Sequence, residues 1–151
     1  MVATALMAFL HHTLAFALTA CLVYEFIAYQ KNMGIAEIRR IQRVDLAYGI
    51  SAGLLWVVGL LRVFLFEKGP NFYLHNPFFW VKMTAFVLVA LLSLDPTIRY
   101  IRWNQTLRQN KLPEISETEY KRTRMLLWLE VIGVAVILFA APLMARGIGM
   151  T

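Results

Sequence analysis

Two adjacent histidines, His11 and His12, are the side chains with the clearest capacity for chemistry in this sequence. They lie within an apolar run from Ala3 to Tyr29, which is long enough to cross a bilayer. An imidazole at that depth is costly unless it is paired, ligated or close to water. The first apolar run therefore predicts a polar site inside a membrane-spanning helix.

Helical periodicity separates the two histidines. Residues fourteen apart on a helix differ by about 40° around its axis, so His11 shares a face with Glu25. Leu18 and Leu22 lie on the same face, whereas His12 points about 100° away. Because charged groups avoid lipid, the face with His11 and Glu25 is expected to look into the protein. We assign the main role to His11 and keep His12 as a second cofactor-binding candidate, which we expect to bond a backbone carbonyl or a neighbouring helix.

The composition predicts an all-α polytopic membrane protein. The chain has 151 residues, of which 60% are hydrophobic, and its mean hydropathy is +0.61. These values and four long apolar runs favour a single domain, residues 1–151, that forms a bundle of four transmembrane helices. A single cysteine, Cys21, excludes an internal disulfide. The predicted spans are residues 3–29, 44–66, 77–100 and 125–145.

The net charge of +6 indicates membrane topology, and we expect the partner to be the lipid bilayer and not nucleic acid. The basic residues cluster in the connections after the first and third spans, whereas the connection after the second is nearly neutral. By the positive-inside rule, the two basic connections lie in the cytoplasm. Both termini are then on the outer, periplasmic side of a bacterial inner membrane. Trp80, Tyr73, Tyr100 and Trp103 are expected at the membrane interfaces.

This topology places three cationic or imidazole groups near the outer side. At 1.5 Å per residue, His11 lies about 12 Å below the outer surface, and Arg62 and Lys82 lie about 6 Å below it. A haem needs an axial nitrogen in an apolar cavity and cations near its propionates. The pattern predicts haem b or a related tetrapyrrole, with His11 as the iron ligand and Arg62 and Lys82 as propionate partners.

Acidic side chains are predicted on the cytoplasmic side. Glu130 lies roughly 8 Å into the fourth span, where a carboxyl group is expected to be protonated or paired. It is our catalytic candidate, as a proton carrier, although a structural ion pair is also consistent with its position. Asp45 is expected at the interface, paired with one of the nearby arginines, Arg39, Arg40 or Arg43.

Structural roles stay open for several of these residues. A histidine within a membrane can simply bond across helices, and Arg62 and Lys82 can extend to the headgroups. Gly49, Gly53 and Gly59 have a spacing that is typical of close helix packing. The number of histidines limits the possible haem sites. A bis-histidine haem would need the third histidine, His75, to fold inward from a predicted loop over the first helix, and otherwise His11 is a single axial ligand.

Short motifs suggest relatives. The segment Met7–His11, the pair Arg39-Arg40, the sequence Trp80-Val81-Lys82 and Glu130 resemble, distantly, positions of the HemJ-type protoporphyrinogen oxidases and of CopD-like membrane proteins. The chain also resembles a bacterial family of small predicted four-helix membrane proteins. The oxidase resemblance implies haem binding by the first-helix histidine and oxidation of a porphyrinogen. Two positions differ from the oxidase pattern: Leu129-Glu130-Val131-Ile132 replaces Asn-Glu-x-Pro, and Glu25 replaces a basic residue.

Two hypotheses follow from the sequence. The first is a membrane protein that binds haem or another tetrapyrrole and has a redox role, in electron transfer or as a membrane oxidoreductase similar to the porphyrinogen oxidases. The second is a non-catalytic accessory or scaffold subunit of a larger inner-membrane complex, and it is motivated by the small size and the lack of a strong catalytic motif. The expected assembly is a homo-oligomer or such a larger complex, and whether the chain is an enzyme is left open.

Overall fold

The computed structural model describes residues 2–149, and every regular element in that range is helical. Four helices are long, and one short helix, α3, lies in the connection between the second and third of them. The elements are α1 Val2–Ala28, α2 Ile35–Leu61, α3 Pro70–Leu74, α4 Pro77–Arg108 and α5 Glu117–Ala145. The end of α2 continues as a π-helical turn over Arg62–Phe66.

The four long helices confirm the predicted fold class. Each is long and apolar enough to cross a membrane, and large apolar side chains cover their outer surfaces. Phe16 on α1 and Phe139 on α5 are 78% and 71% exposed. In water, exposure of this kind over a whole bundle is unfavourable, whereas in lipid it is the expected boundary of the protein.

The helices are longer than the predicted spans. α2 begins at Ile35 instead of Val44, so much of the predicted basic connection is helical. The Gly34 N–H donates to the Glu37 carboxylate at 2.8 Å and secures this start. At α5, the Ser116 hydroxyl accepts from the Glu119 N–H at 3.1 Å, which is the usual bond of an N-cap serine. Apolarity thus predicted the segments that can span the membrane, whereas the polar capping residues determine where the helices begin.

The bundle consists of two helical hairpins. α1 packs most extensively on α2, and α4 on α5, while smaller contacts from α1 to α5 and from α2 to α4 close the bundle. The end at which α1 begins is called here the histidine end. The opposite end, with connections 29–34 and 109–116, is called the basic end. Because the inter-hairpin contacts are sparse, the interior between the hairpins is where a site can form.

Aromatic side chains fill the basic end. Tyr29 stacks on Tyr120 and Trp103, with ring centroids 5.7 and 6.5 Å apart, and Tyr100 lies against both Tyr29 and Trp103. Tyr100 and Trp103 are therefore buried core residues, not the interface residues that the sequence predicted. Tyr73 is also buried, whereas Trp80 is exposed. An aromatic residue near a helix end serves either role, and only the packing of neighbouring helices decides between them.

Candidate functional site

His11 enters the bundle interior from α1, as its periodicity predicted. The buried residues of α1 are Leu18, Leu22 and Glu25, and half-buried His11 continues this face toward the histidine end. A β-carbon built on Gly59 of α2 would lie 3.5 Å from His11 Cε1, so the His11 imidazole lies directly beside this glycine of α2. The His11 Nδ1 atom is buried and has no hydrogen-bond partner among residues 2–149.

His12 has the opposite environment. It is exposed, and its Nδ1–H donates to the Ala8 carbonyl oxygen at 2.6 Å within the same helix. A backbone carbonyl was one of the two partners that the sequence predicted for it, and the other was a neighbouring helix. Its position on the outer face separates it from the interior that His11 enters.

The two predicted cations lie near His11. Arg62 occupies the π-helical turn at the end of α2, Lys82 lies in the second turn of α4, and the charges of both act on the His11 imidazole. Arg62 forms an ion pair with Glu67, a partner that the sequence analysis did not assign to it. Lys82 makes no ion pair within the described part of the chain. The structure thus brings His11, Arg62 and Lys82 together. Glu67 neutralises the charge of Arg62, so Lys82 is the cation of this group without an ion pair in the described chain.

The short helix α3 closes the histidine end. Tyr73 is buried beside Glu67 and Arg62; burial and the Glu67 charge raise the pKa of its phenol, so it stays neutral at physiological pH. Asn76 is also buried, and its side chain donates to the Met144 carbonyl at 3.0 Å. These contacts tie the connection between the hairpins to the end of α5.

A central cavity of about 200 Å³ lies inside the bundle. All four long helices contribute to its wall, and most of the wall is apolar. The lining residues are Ala15, Leu18, Thr19, Tyr48, Gly49, Ala52, Leu55, Phe86, Val89, Ala90, Ser93, Leu94, Thr97, Val134, Ile137 and Leu138. None of them is charged, so the wall contributes only hydroxyl groups as polar side chains.

The cavity lies between two polar layers. Ala15, Leu55 and Phe86 of its wall lie one helical turn from His11, Gly59 and Lys82, respectively. The layer formed by His11, Arg62 and Lys82, called here the histidine layer, is therefore adjacent to one end of the cavity. Toward the basic end, the wall includes Tyr48 and Thr97, whose hydroxyls contact buried carboxyl groups.

These carboxyl groups belong to three residues, Glu25, Asp45 and Glu130, which we call the acid cluster. Glu25 and Glu130 are 2% and 1% exposed. The Tyr48 hydroxyl donates to Glu130 Oε2 at 3.2 Å, and the Thr97 hydroxyl donates to Asp45 Oδ1 at 2.7 Å. The charge of Glu25 couples to those of Asp45 and Glu130, so the three carboxyl groups share one region of the interior.

The prediction that Asp45 pairs with a nearby arginine is wrong. Asp45 lies on the buried face of α2 together with Ile41 and Tyr48, whereas Arg43 is exposed and bonds the Arg39 carbonyl. The rotation of α2 sends neighbouring residues to opposite sides of the helix. Asp45 therefore takes a hydroxyl partner from α4 and not a cation from its own helix.

Several polar atoms around the acid cluster lack partners within residues 2–149. They are Glu25 Oε1, Glu130 Oε1 and the Tyr100 hydroxyl. Such atoms are rare in folded interiors because an unmade hydrogen bond is expensive. The salt bridges of this region, from Arg99 to Asp95 and Glu119, lie nearer the surface. Within residues 2–149, the three carboxyl groups of the acid cluster therefore form no salt bridge, and their nearest polar neighbours are hydroxyl groups.

The predicted site residues fall into two places. His11, Arg62 and Lys82 form one layer at the histidine end, and Glu130 lies beyond the central cavity, in the acid cluster. Sequence reasoning missed Tyr48 and Thr97, which connect the cavity to that cluster. The spacing of three residues from Asp45 to Tyr48, on one helix face, was a usable signal for Tyr48. No comparable signal identified Thr97.

The chain matches a family model described as "Predicted membrane protein (DUF2214)" over residues 3–149. The chain belongs to this family. Family membership and the four apolar helices establish an integral membrane protein in contact with lipid. No curated protein and no solved structure matches the chain, so these comparisons give no support to the resemblance to HemJ-type oxidases or CopD-like proteins.

Proposed function

We propose that this DUF2214 protein binds haem b or a related tetrapyrrole at its histidine end and has a redox role in the membrane. The observation that carries the proposal is the His11 imidazole. It points into the bundle, its Nδ1 atom has no partner in the described chain, and two cations lie nearby. A histidine kept in a membrane interior without a structural hydrogen bond is a functional candidate.

The donor set fits one axial ligand and one free propionate partner. His11 would hold the iron, and Lys82 would bind a propionate more readily than Arg62, which is paired with Glu67. When bound, the haem would supply one-electron chemistry. The central cavity does not fit the macrocycle: about 200 Å³ is close to the roughly 150 Å³ that holds a single benzene ring. A tetrapyrrole at His11 therefore requires the two hairpins to separate at the histidine end.

The visible spectrum of the purified protein tests this proposal. We expect protein purified in mild detergent from haem-replete cells to show a Soret band. His11→Ala should abolish the band, and Lys82→Ala should reduce haem retention. His12→Ala is the matched control and should keep the band, because His12 faces outward. Colourless wild-type protein, or equal spectra for both histidine variants, would contradict the proposal.

The oxidase resemblance implies a specific reaction, the oxidation of a porphyrinogen, with Glu130 as the proton-carrying candidate. Its burial and its contact with Tyr48 support that role, because the pair lies next to the cavity. We expect Glu130→Gln to lower porphyrinogen oxidation while the Soret band is retained. Loss of the band together with the activity would indicate a structural role for Glu130.

A second function, as an accessory subunit of a larger membrane complex or as a homo-oligomer, is favoured by a separate observation. The connections in the described chain are short: residues 29–34, 67–69, 75–76 and 109–116. None forms a domain outside the membrane that could exchange electrons with a soluble partner. An accessory subunit should copurify with other membrane proteins in mild detergent, whereas migration alone as a monomer or homodimer would argue against the accessory role.

A further inference from the structure

The central cavity has hydroxyl groups whose hydrogens are already used. Four hydroxyl side chains line it, and each already donates to a carbonyl or carboxyl oxygen of the protein. The bonds run from Thr19 to the Ala15 carbonyl at 2.8 Å, from Ser93 to the Ala90 carbonyl at 2.9 Å, from Thr97 to Asp45 at 2.7 Å and from Tyr48 to Glu130 at 3.2 Å. The cavity wall therefore offers oxygen lone pairs and no free side-chain O–H.

Because the hydroxyl hydrogens of the cavity wall are already bonded, the wall favours a ligand that carries a hydrogen-bond donor. A hydroxyl has one hydrogen to donate and two lone pairs that accept. With its hydrogen committed, each cavity hydroxyl can only accept from a bound molecule. A ligand with an O–H group satisfies this wall, whereas a ligand with only a carbonyl or ether oxygen leaves its own acceptor unpaired in an apolar interior, which costs binding free energy.

The volume of the cavity and its apolar wall fit a ligand with one aromatic ring. An apolar cavity of roughly 150 Å³ binds benzene, and this cavity, at about 200 Å³, leaves space for small substituents. Phe86, Leu18 and Val134 supply flat and branched apolar surface. The hydroxyls of Tyr48 and Thr97 are anchored to the acid cluster and so have fixed directions. They give the cavity a polar end toward the acid cluster.

A route from the lipid reaches the cavity between α2 and α4. The lining residues Gly49, Ala90 and Leu94 are also exposed on the outer surface, and a β-carbon on Gly49 would meet nothing within 4 Å. Two contacts bound this opening. The Thr97–Asp45 hydrogen bond lies toward the basic end, and the Trp56–Phe86 stack, with centroids 5.4 Å apart, lies toward the histidine end.

We propose that the central cavity binds a lipid-soluble molecule with one hydroxylated aromatic ring, that is, a phenol or a hydroquinone head. The molecule enters between α2 and α4, its ring packs on the apolar wall, and its hydroxyl donates to the oxygen of Tyr48 or Thr97. The site is distinct from the histidine layer, and binding there does not depend on a tetrapyrrole at His11.

A matched pair of ligands tests the donor requirement. Trimethylphenol and tetramethylbenzene have nearly the same shape, but only the phenol has an O–H. Equilibrium dialysis of the protein in detergent against protein-free micelles corrects for partition into detergent. We expect saturable binding of the phenol, tighter than that of the hydrocarbon by roughly three- to tenfold, the worth of one net hydrogen bond. Equal affinities, or no saturable binding of the phenol, would overturn the proposal.

Two variants locate the site. Ala52→Phe places a ring inside the cavity and should remove saturable binding of both compounds. Thr97→Val removes one acceptor and should reduce the preference for the phenol, while Thr13→Val is the matched control, because its hydroxyl bonds the Phe9 carbonyl on the exposed face of α1. Unchanged binding to folded Ala52→Phe protein would overturn the assignment to this cavity. His11→Ala should bind the phenol normally, so failure of the haem proposal and of this one are distinguishable.

Discussion

At the scale of single residues, the hydrogen bond from Tyr48 is the one contact that satisfies the buried Glu130 carboxyl group among the described residues. Glu130 is 1% exposed and accepts only from the Tyr48 hydroxyl among the described residues. Within residues 2–149, no Lys or Arg forms an ion pair with this carboxyl group, and its second oxygen has no hydrogen-bond partner. Removal of a partner from a buried polar group costs more than the bond contributed.

Tyr48→Phe is therefore expected to destabilise the protein. The variant leaves both Glu130 oxygens without a partner, and hydrogen bonds between membrane helices contribute about 1 kcal/mol. The free energy of unfolding in mixed detergent micelles measures the loss. Tyr100→Phe is the matched control, because its buried hydroxyl already lacks a partner, and its removal should leave stability unchanged or higher. A loss of equal size in both variants would contradict this account.

The sequence predicted which face of a helix a residue occupies better than it predicted which residues of different helices contact each other. The periodicity of α1 correctly sent His11 inward and His12 outward, because both directions follow from one helix. The pairing of Tyr48 with Glu130 and of Thr97 with Asp45 depends on the relative rotation of different helices. No local pattern encodes that rotation, so the acid cluster was recognised as separate carboxylates and its hydroxyl partners were missed.

At the scale of elements, one glycine determines how closely α4 and α5 approach. A β-carbon on Gly133 would lie 2.3 Å from Val89 Cγ2, so a larger residue at this position would force Val89 or the helix crossing to shift. The sequence analysis assigned close packing to Gly49, Gly53 and Gly59. Nothing lies within 4 Å of a β-carbon built on Gly49 or Gly53, and Gly59 faces His11. Gly49 and Gly53 of α2 therefore face open space, and neither makes the close helix contact that their spacing predicted.

Gly133→Ala is expected to destabilise the α4–α5 hairpin by about 1–3 kcal/mol, the usual cost of overpacking. Gly53→Ala is the matched control. It adds the same methyl group to a helix in open space and should stabilise by roughly 0.5–1 kcal/mol through helix propensity. Thermal unfolding of both variants in one detergent checks the opposite signs. Val89→Ala should restore part of the loss in Gly133→Ala, and a failure to do so would place the strain elsewhere.

The existence of the four helices was predictable, whereas their ends were not. Hydropathy reports the segment that crosses lipid, and the helices continue past that segment wherever capping is available. Glu37 secures the start of α2 nine residues before the predicted span. A polar stretch after a membrane segment is therefore ambiguous between a loop and an extended helix.

At the scale of the whole molecule, the distribution of basic residues predicts orientation. Arg and Lys residues are concentrated at the basic end, so that end should lie in the cytoplasm, with both termini outside. Alkaline phosphatase fused after Thr151 should be active, and a fluorescent protein fused there should be dark. Reporters inserted within 109–116 should give the reverse result. The opposite pattern at both positions would show that the bundle is inverted.

The arrangement as two hairpins has a consequence for biogenesis. The bonds from Tyr48 to Glu130 and from Asp45 to Thr97 each join the α1–α2 hairpin to the α4–α5 hairpin, and the central cavity lies on the same seam. Each hairpin can insert as a self-contained pair, and the interior forms when the two associate. The chain is thus suited to expression as two fragments divided within 67–69. Reassembly of those fragments would create the cavity and the acid cluster in a single late step.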